Sequence, residues 1–112
     1  MSLPIHSFNL KSIDAADLSA SQTGSTIDVR EVLAVATQVV WSGGSSTGGT
    51  LYIEASIDNS TFTTLSTYAV ATNSGSYLLN AERAGYLYIR TRWVASSGTG
   101  GTISSHVSGK RL

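Results

Sequence analysis

Between Leu51 and Asp58 the side chains alternate in character without a break. Leu51, Ile53, Ala55 and Ile57 fall on one side of an extended chain, and Tyr52, Glu54, Ser56 and Asp58 on the other. A repeat of two marks a strand with one buried face, so Thr50 to Ile57 is predicted as a strand. Tyr86 to Ala95 repeats the pattern, with Leu87, Ile89, Thr91 and Trp93 against Tyr86, Tyr88, Arg90 and Arg92. From Ala34 to Ser42, Val35, Thr37, Val39 and Trp41 share one face, and Ala36, Gln38 and Val40 the other. Val32, Leu33, Ala36 and Val40 also stand at roughly helical spacing, but the density of Val and the abrupt stop at Gly43-Gly44 favour strand.

Weaker patterns fill in the rest. Ile5 to Ile13 reads as extended, with Phe8, Leu10 and Ser12 alternating against Asn9 and Lys11. Asp14 to Asp17 (DAAD) reads as a turn or a single helical turn, and Ser19 to Ser25 as a polar loop. Thr26 to Val29, Phe62 to Tyr68, Ser76 to Leu79 and Thr102 to Val107 read as further strands. Asp58-Asn59-Ser60-Thr61 supplies a tight hairpin, because Asp and Asn tolerate left-handed backbone. The glycine runs at Gly43-Gly44, Gly48-Gly49 and Gly98 to Gly101 read as loop tips, and Ala69 to Ser74 as a loop. About seven or eight short strands separated by turns, with no long helix, predict an all-β antiparallel two-sheet sandwich of jelly-roll type. The 112 residues suit one such domain, with residues 1–4 and 108–112 as flexible ends.

Composition explains the surface. Charged residues make up only 12%, against a usual share of roughly 25%. Their place is taken by 19 Ser and 13 Thr, which suit turns and strands. Seven Lys and Arg balance seven Asp and Glu, so no electrostatic footprint for nucleic acid or an anionic membrane is present. A surface so poorly charged is sticky for a free monomer, which predicts cover by copies of the chain or by another protein. There is no Cys, which excludes disulfides and thiolate chemistry. The N-terminal segment lacks the pattern of a signal peptide. The run VLAVATQVVW (Val32 to Trp41) is too short to span a bilayer as a helix.

Candidate chemistry is sparse. His6 and His106 lie on strands at the two ends of the chain, but no metal-ligand spacing supports a shared site, so both read as structural or surface histidines. Glu54, Asp58 and Glu82 could be read as paired carboxylates. Asp58 is better explained by the hairpin, Glu54 by the outer face of its strand, and nothing sets Glu82 opposite either. No nucleophile elbow, phosphate loop or dinucleotide fingerprint occurs, so the chain is expected to be no enzyme and to carry no cofactor or metal. Asn59-Ser60-Thr61 matches a glycosylation sequon and reads as turn chemistry. The best candidate contact face is the row Tyr52, Glu54, Tyr86, Tyr88, Arg90 and Arg92. Aromatic and Arg side chains there could stack on a sugar or anchor a protein interface. The plainer alternative is a set of cross-strand pairs, with Arg against Glu54.

Gln38 to Leu65 runs from a strand ending in Trp41 through Gly48-Gly49-Thr50 to Ser56, Asp58, Ser60 and Phe62. This order resembles small virion proteins of tailed bacteriophages. Tyr86 to Lys110, with its Tyr-x-Arg strand and Ser-Gly-Thr-Gly loop, is similar to the same family. Together with LKSIDAADLSASQTGSTIDV at the front, the resemblance spans most of the chain. It implies a non-enzymatic jelly-roll-like structural component of a virion: a capsid decoration, head-fibre, neck or tail-associated protein. It also implies self-assembly, with a cyclic trimer as the first expectation, contact with other virion proteins, and residence in a virion assembled in the bacterial cytoplasm. The rival reading is a carbohydrate-binding or host-adhesion module that takes a surface glycan on the Tyr and Arg face.

Overall fold

The computed structural model describes residues 7–30, 32, 34–81 and 86–110. Among these described residues nine strands form: β1 (Ser7–Asp17), β2 (Gln22–Thr23), β3 (Ile27–Asp28), β4 (Ala34–Ser42), β5 (Ser45–Ser56), β6 (Thr63–Val70), β7 (Gly75–Ala81), β8 (Tyr88–Thr99) and β9 (Thr102–Lys110). No helix occurs among the described residues, so the helical alternative around Ala36 gives way to strand β4. All pairings are antiparallel. One sheet has the order β1-β9-β4-β7; the other runs β2-β8-β5-β6, with β3 also on β8. With β2 and β3 taken as one interrupted strand, every connection except the β5–β6 hairpin crosses between sheets. That winding is a jelly roll.

The period of two decides what lies between the sheets. Val35, Val39, Trp41, Ile103 and Val107 from one sheet meet Leu51, Ile53, Ile89 and Trp93 from the other, all essentially buried. Each such side chain stabilises the fold by about 1.5–3 kcal/mol on burial. The indole N–H of Trp93 donates to the Leu18 carbonyl at 2.9 Å, and that of Trp41 to the Thr72 carbonyl at 3.2 Å. A buried hydroxyl pair, Thr91 with Ser105, joins the two sheets through the core.

The two flanks of the sandwich close differently. On the β1 side, Ser12 is buried and its hydroxyl donates to the Ser25 carbonyl at 2.8 Å while accepting from the Thr91 N–H at 3.1 Å. Ser12 thus occupies the gap between β2 and β3 and ties one sheet to the other. On the opposite side, Tyr68 of β6 stacks on Tyr77 of β7 with centroids 4.7 Å apart, and Ser66 hydrogen-bonds the Tyr77 hydroxyl.

Four expectations are corrected. DAAD is not a turn: β1 continues through it, bulged between Lys11 and Ile13 and again between Ile13 and Ala16. Ala15 takes a positive φ of 47° there, and its N–H goes to the Ser104 hydroxyl at 2.9 Å. The first bulge also breaks the predicted alternation, so Ser12 and Ile13 are both buried and Leu10 is half exposed.

The glycine segments from Ser45 to Gly49 and Ser96 to Thr99 are not loops either. They pair with each other, Ser45 with Thr99, Gly48 with Ser97 and Gly49 with Ala95. Gly49 is required by close approach, since a Cβ there would run into the Trp93 ring and the Val94 carbonyl. The turn proper is Gly100-Gly101, where Gly101 has φ +87°.

Ser108 to Lys110, read as a tail, extends β9 and pairs with both β1 and β4. Finally, β8 begins at Tyr88, so Tyr86 and Leu87 precede the strand that was predicted to include them.

Candidate functional site

The outer face of the β8–β5 pair gathers most of the predicted row. Register sets Arg90 opposite Glu54, Arg92 opposite Tyr52 and Tyr88 opposite Ser56. Arg90 Nε donates to Glu54 Oε1 at 2.9 Å, and Arg92 Nε to Oε2 of the same carboxylate at 3.1 Å. The Arg90 guanidinium lies 3.8 Å from the centroid of Phe62, and that of Arg92 4.0 Å from Tyr52. The result is one ladder in the order Phe62, Arg90, Glu54, Arg92, Tyr52.

Glu54 was expected on an exposed face, yet its side chain is only 8% exposed. The two Arg side chains cover it, at 28% and 33% exposure. A carboxylate so desolvated needs charged partners, and it has two. Charges in the ladder sum to one positive, offered to solvent between two aromatic rings.

The ladder continues past β8. Asp28 pairs with Tyr88 across β3, and Arg30 binds Asp28 at 2.6 Å with its guanidinium 5.8 Å from the Tyr88 ring. The Arg30 side chain, and then its N–H, hold the Asp28 carboxyl below its usual range. Phe62, Asp28 and Arg30 were not singled out as contact residues. The Asp-x-Arg spacing of the last two was the available signal; the position of Phe62 over Arg90 depends on how the hairpin folds back.

Tyr86 does not join the row. It is half buried against the edge of the core, and its hydroxyl is buried with no hydrogen-bond partner among the described residues. Burial raises the pKa of that phenol. With Ala55, Ile57, Leu65 and the hairpin residues Asp58, Thr61 and Thr63, it lines a shallow concavity of about 430 Å³.

The remaining candidates separate. Asp58 caps its hairpin: Oδ1 accepts from the Thr61 and Ser60 N–H groups, both at 2.9 Å, and from the Ser56 hydroxyl at 2.8 Å. Those bonds, led by that from Thr61, hold its pKa at about 2. Asn59 sits in the turn with φ +59°. His106 pairs with Lys11 and Gln38 on the outer face of the other sheet. His6 and Glu82 lie outside the described residues. Among the described residues, no group of three or more His, Cys, Asp and Glu gathers where it could hold a metal. Nor is any helix there long and apolar enough to cross a membrane.

Comparison with known proteins sharpens the fold and not the ladder. No family model matches the chain. No curated protein matches it. Among solved structures, the SPBc2 prophage-derived protein YomS is similar over 96% of each chain, with a TM-score of 0.67 at 16% identity. A chain of infectious bursal disease virus, Gx strain, is similar over 98% of this chain, with a TM-score of 0.57 at 14% identity. The VP2 subviral particle of the same virus gives 0.53 at 15% over 96% of this chain. This chain spans only about a third of those two viral chains, 34% and 32%. At these identities the likeness is one of fold: the jelly roll seen here is shared with a prophage-derived protein and with viral particle proteins.

Chemically, the ladder offers fixed cations and aromatic rings suited to anchoring. The Glu54 carboxylate is bound by two guanidinium groups, and the Asp28 carboxylate by a third.

Proposed function

We propose that this chain is a non-enzymatic structural component of a bacteriophage virion, acting by binding copies of itself and other virion proteins. The observation that carries the reading is the end-to-end likeness in fold to the prophage-derived protein, 96% of each chain. A low-charge, hydroxyl-rich surface on a stiff two-sheet body supports the same role. The ladder on β5 and β8 is the proposed contact face for a neighbouring protein. Arg and aromatic side chains favour interfaces, and Arg90 and Arg92 are already fixed in place by Glu54. Glycan binding at the same face has less support, because Arg92 lies over the Tyr52 ring that a sugar would stack on.

The test is to purify particles from the phage or prophage carrying this gene and to quantify the chain by mass spectrometry. A fixed copy number per particle is expected. Particles that assemble complete without it overturn the reading.

A further inference from the structure

The four sheet edges are not equivalent. Edge β1 carries Lys11, Asp14 and Asp17 and is bulged twice. Its neighbour across the sandwich is broken into the two-residue strands β2 and β3. Charges, bulges and short strands are the devices that stop an edge from pairing with another chain. The opposite flank lacks most of them. TTLSTYAV of β6 and GSYLLNA of β7 contain no charged residue and no proline, and β6 carries one bulge near its start.

These two open edges are stacked and joined at their middles by Tyr68, Tyr77 and Ser66. The flank also exposes apolar surface: Leu65 is 45%, Tyr68 40% and Leu78 61% exposed. An aromatic centre with a hydroxyl rim is the make-up of an interface core.

The geometry points to β6 as a self-association strand that pairs antiparallel with β6 of a second copy about a twofold axis. Antiparallel pairing about a twofold axis sets the residue at the axis against its own copy, so a charge there would meet a like charge. With none present, β6 can pair with itself; with the axis at Thr67, near the middle of the strand, that residue faces its own copy, where small hydroxyl residues pair favourably. The surface available is an eight-residue edge about 27 Å long on a body 18 Å thick, roughly 1,000 Å² for both copies together. That lies at the lower limit for a specific contact, so the dimer is weak and depends on concentration.

This surface deepens the assembly reading above, but the two fail separately. A chain that is a fixed part of particles yet monomeric in solution refutes the strand pairing alone.

Sedimentation velocity on the full chain, from about 1 μM to about 1 mM, reads the outcome. The apparent mass is expected to double across that range. Thr67→Lys and Thr67→Glu should each remain monomeric, with unchanged circular dichroism and melting. Their equimolar mixture should regain the doubled mass, because opposite charges then meet at the axis. Ala20→Lys, on the protected flank, should dimerise as the unmodified chain does. A monomer throughout, a trimer, or a dimer indifferent to Thr67→Lys overturns the proposal.

Discussion

Glu54 and Arg90 face each other across β5 and β8, with Arg90 Nε 2.9 Å from Oε1. Arg92 takes the second oxygen, so a single buried carboxylate fixes two guanidinium groups over two rings. Removing the carboxylate leaves two partly covered cations side by side. Glu54→Gln is therefore expected to destabilise the fold by about 1–3 kcal/mol, read by urea unfolding. In Arg90→Ala the same substitution should cost less, since the two side chains act as one unit.

Ser12 carries a different load. Its hydroxyl supplies a partner for both the Thr91 N–H and the Ser25 carbonyl at the seam between sheets. Ser12→Ala strands those backbone groups and should cost about 1–3 kcal/mol, with faster hydrogen exchange at Thr91 as the local readout. Unchanged exchange at Thr91 would refute the seam's dependence on Ser12.

Gly49 allows the backbone of β5 to lie against Trp93. Gly49→Ala should lower the melting temperature, at a cost of about 1–3 kcal/mol, because the ring and the Val94 carbonyl must both give way. Trp93→Phe combined with it should recover part of that loss if the ring is the obstacle.

Asp58 predicts an acid-side effect. Its carboxyl titrates at about 2 in the folded chain, below its ordinary value, because the hairpin N–H groups hold the charged form. Between the two values the unfolded chain binds the extra proton, so stability rises with pH in that window. The contribution is complete above about pH 4 and fades as pH falls through about 2. Asp58→Asn should flatten that segment of a stability-versus-pH curve, measured by thermal unfolding.

Much of this was legible because strand periodicity is a local property. Val35, Val39 and Trp41, like Leu51 and Ile53 or Ile89 and Trp93, could be assigned to the interior from spacing alone. The row of Tyr52, Glu54, Tyr88, Arg90 and Arg92 was likewise readable as one set, since side chains two apart share a face. Tyr86 departs from the predicted row because periodicity does not say where a strand begins: β8 starts two residues later, and the Tyr86 ring turns toward the core. Glu54 departs from the expected exposure because outward does not mean exposed when two long neighbours fold over it.

The sequence by itself determined the class of the fold, the neutrality of its composition and the inner faces of its three strongest strands, apart from Ile57, which lies beyond β5 and is 70% exposed. Each follows from residue order and composition alone. Only the tertiary structure decided that DAAD and the glycine stretches extend strands, that Ser12 joins the sheets, and that the β6 and β7 edges stand open and uncharged together. Those outcomes depend on pairing between segments far apart in the chain. Ser45 with Thr99 and Ser12 with Thr91 meet only after the sandwich closes. The cost of ordering such segments is met by partners that no local window contains.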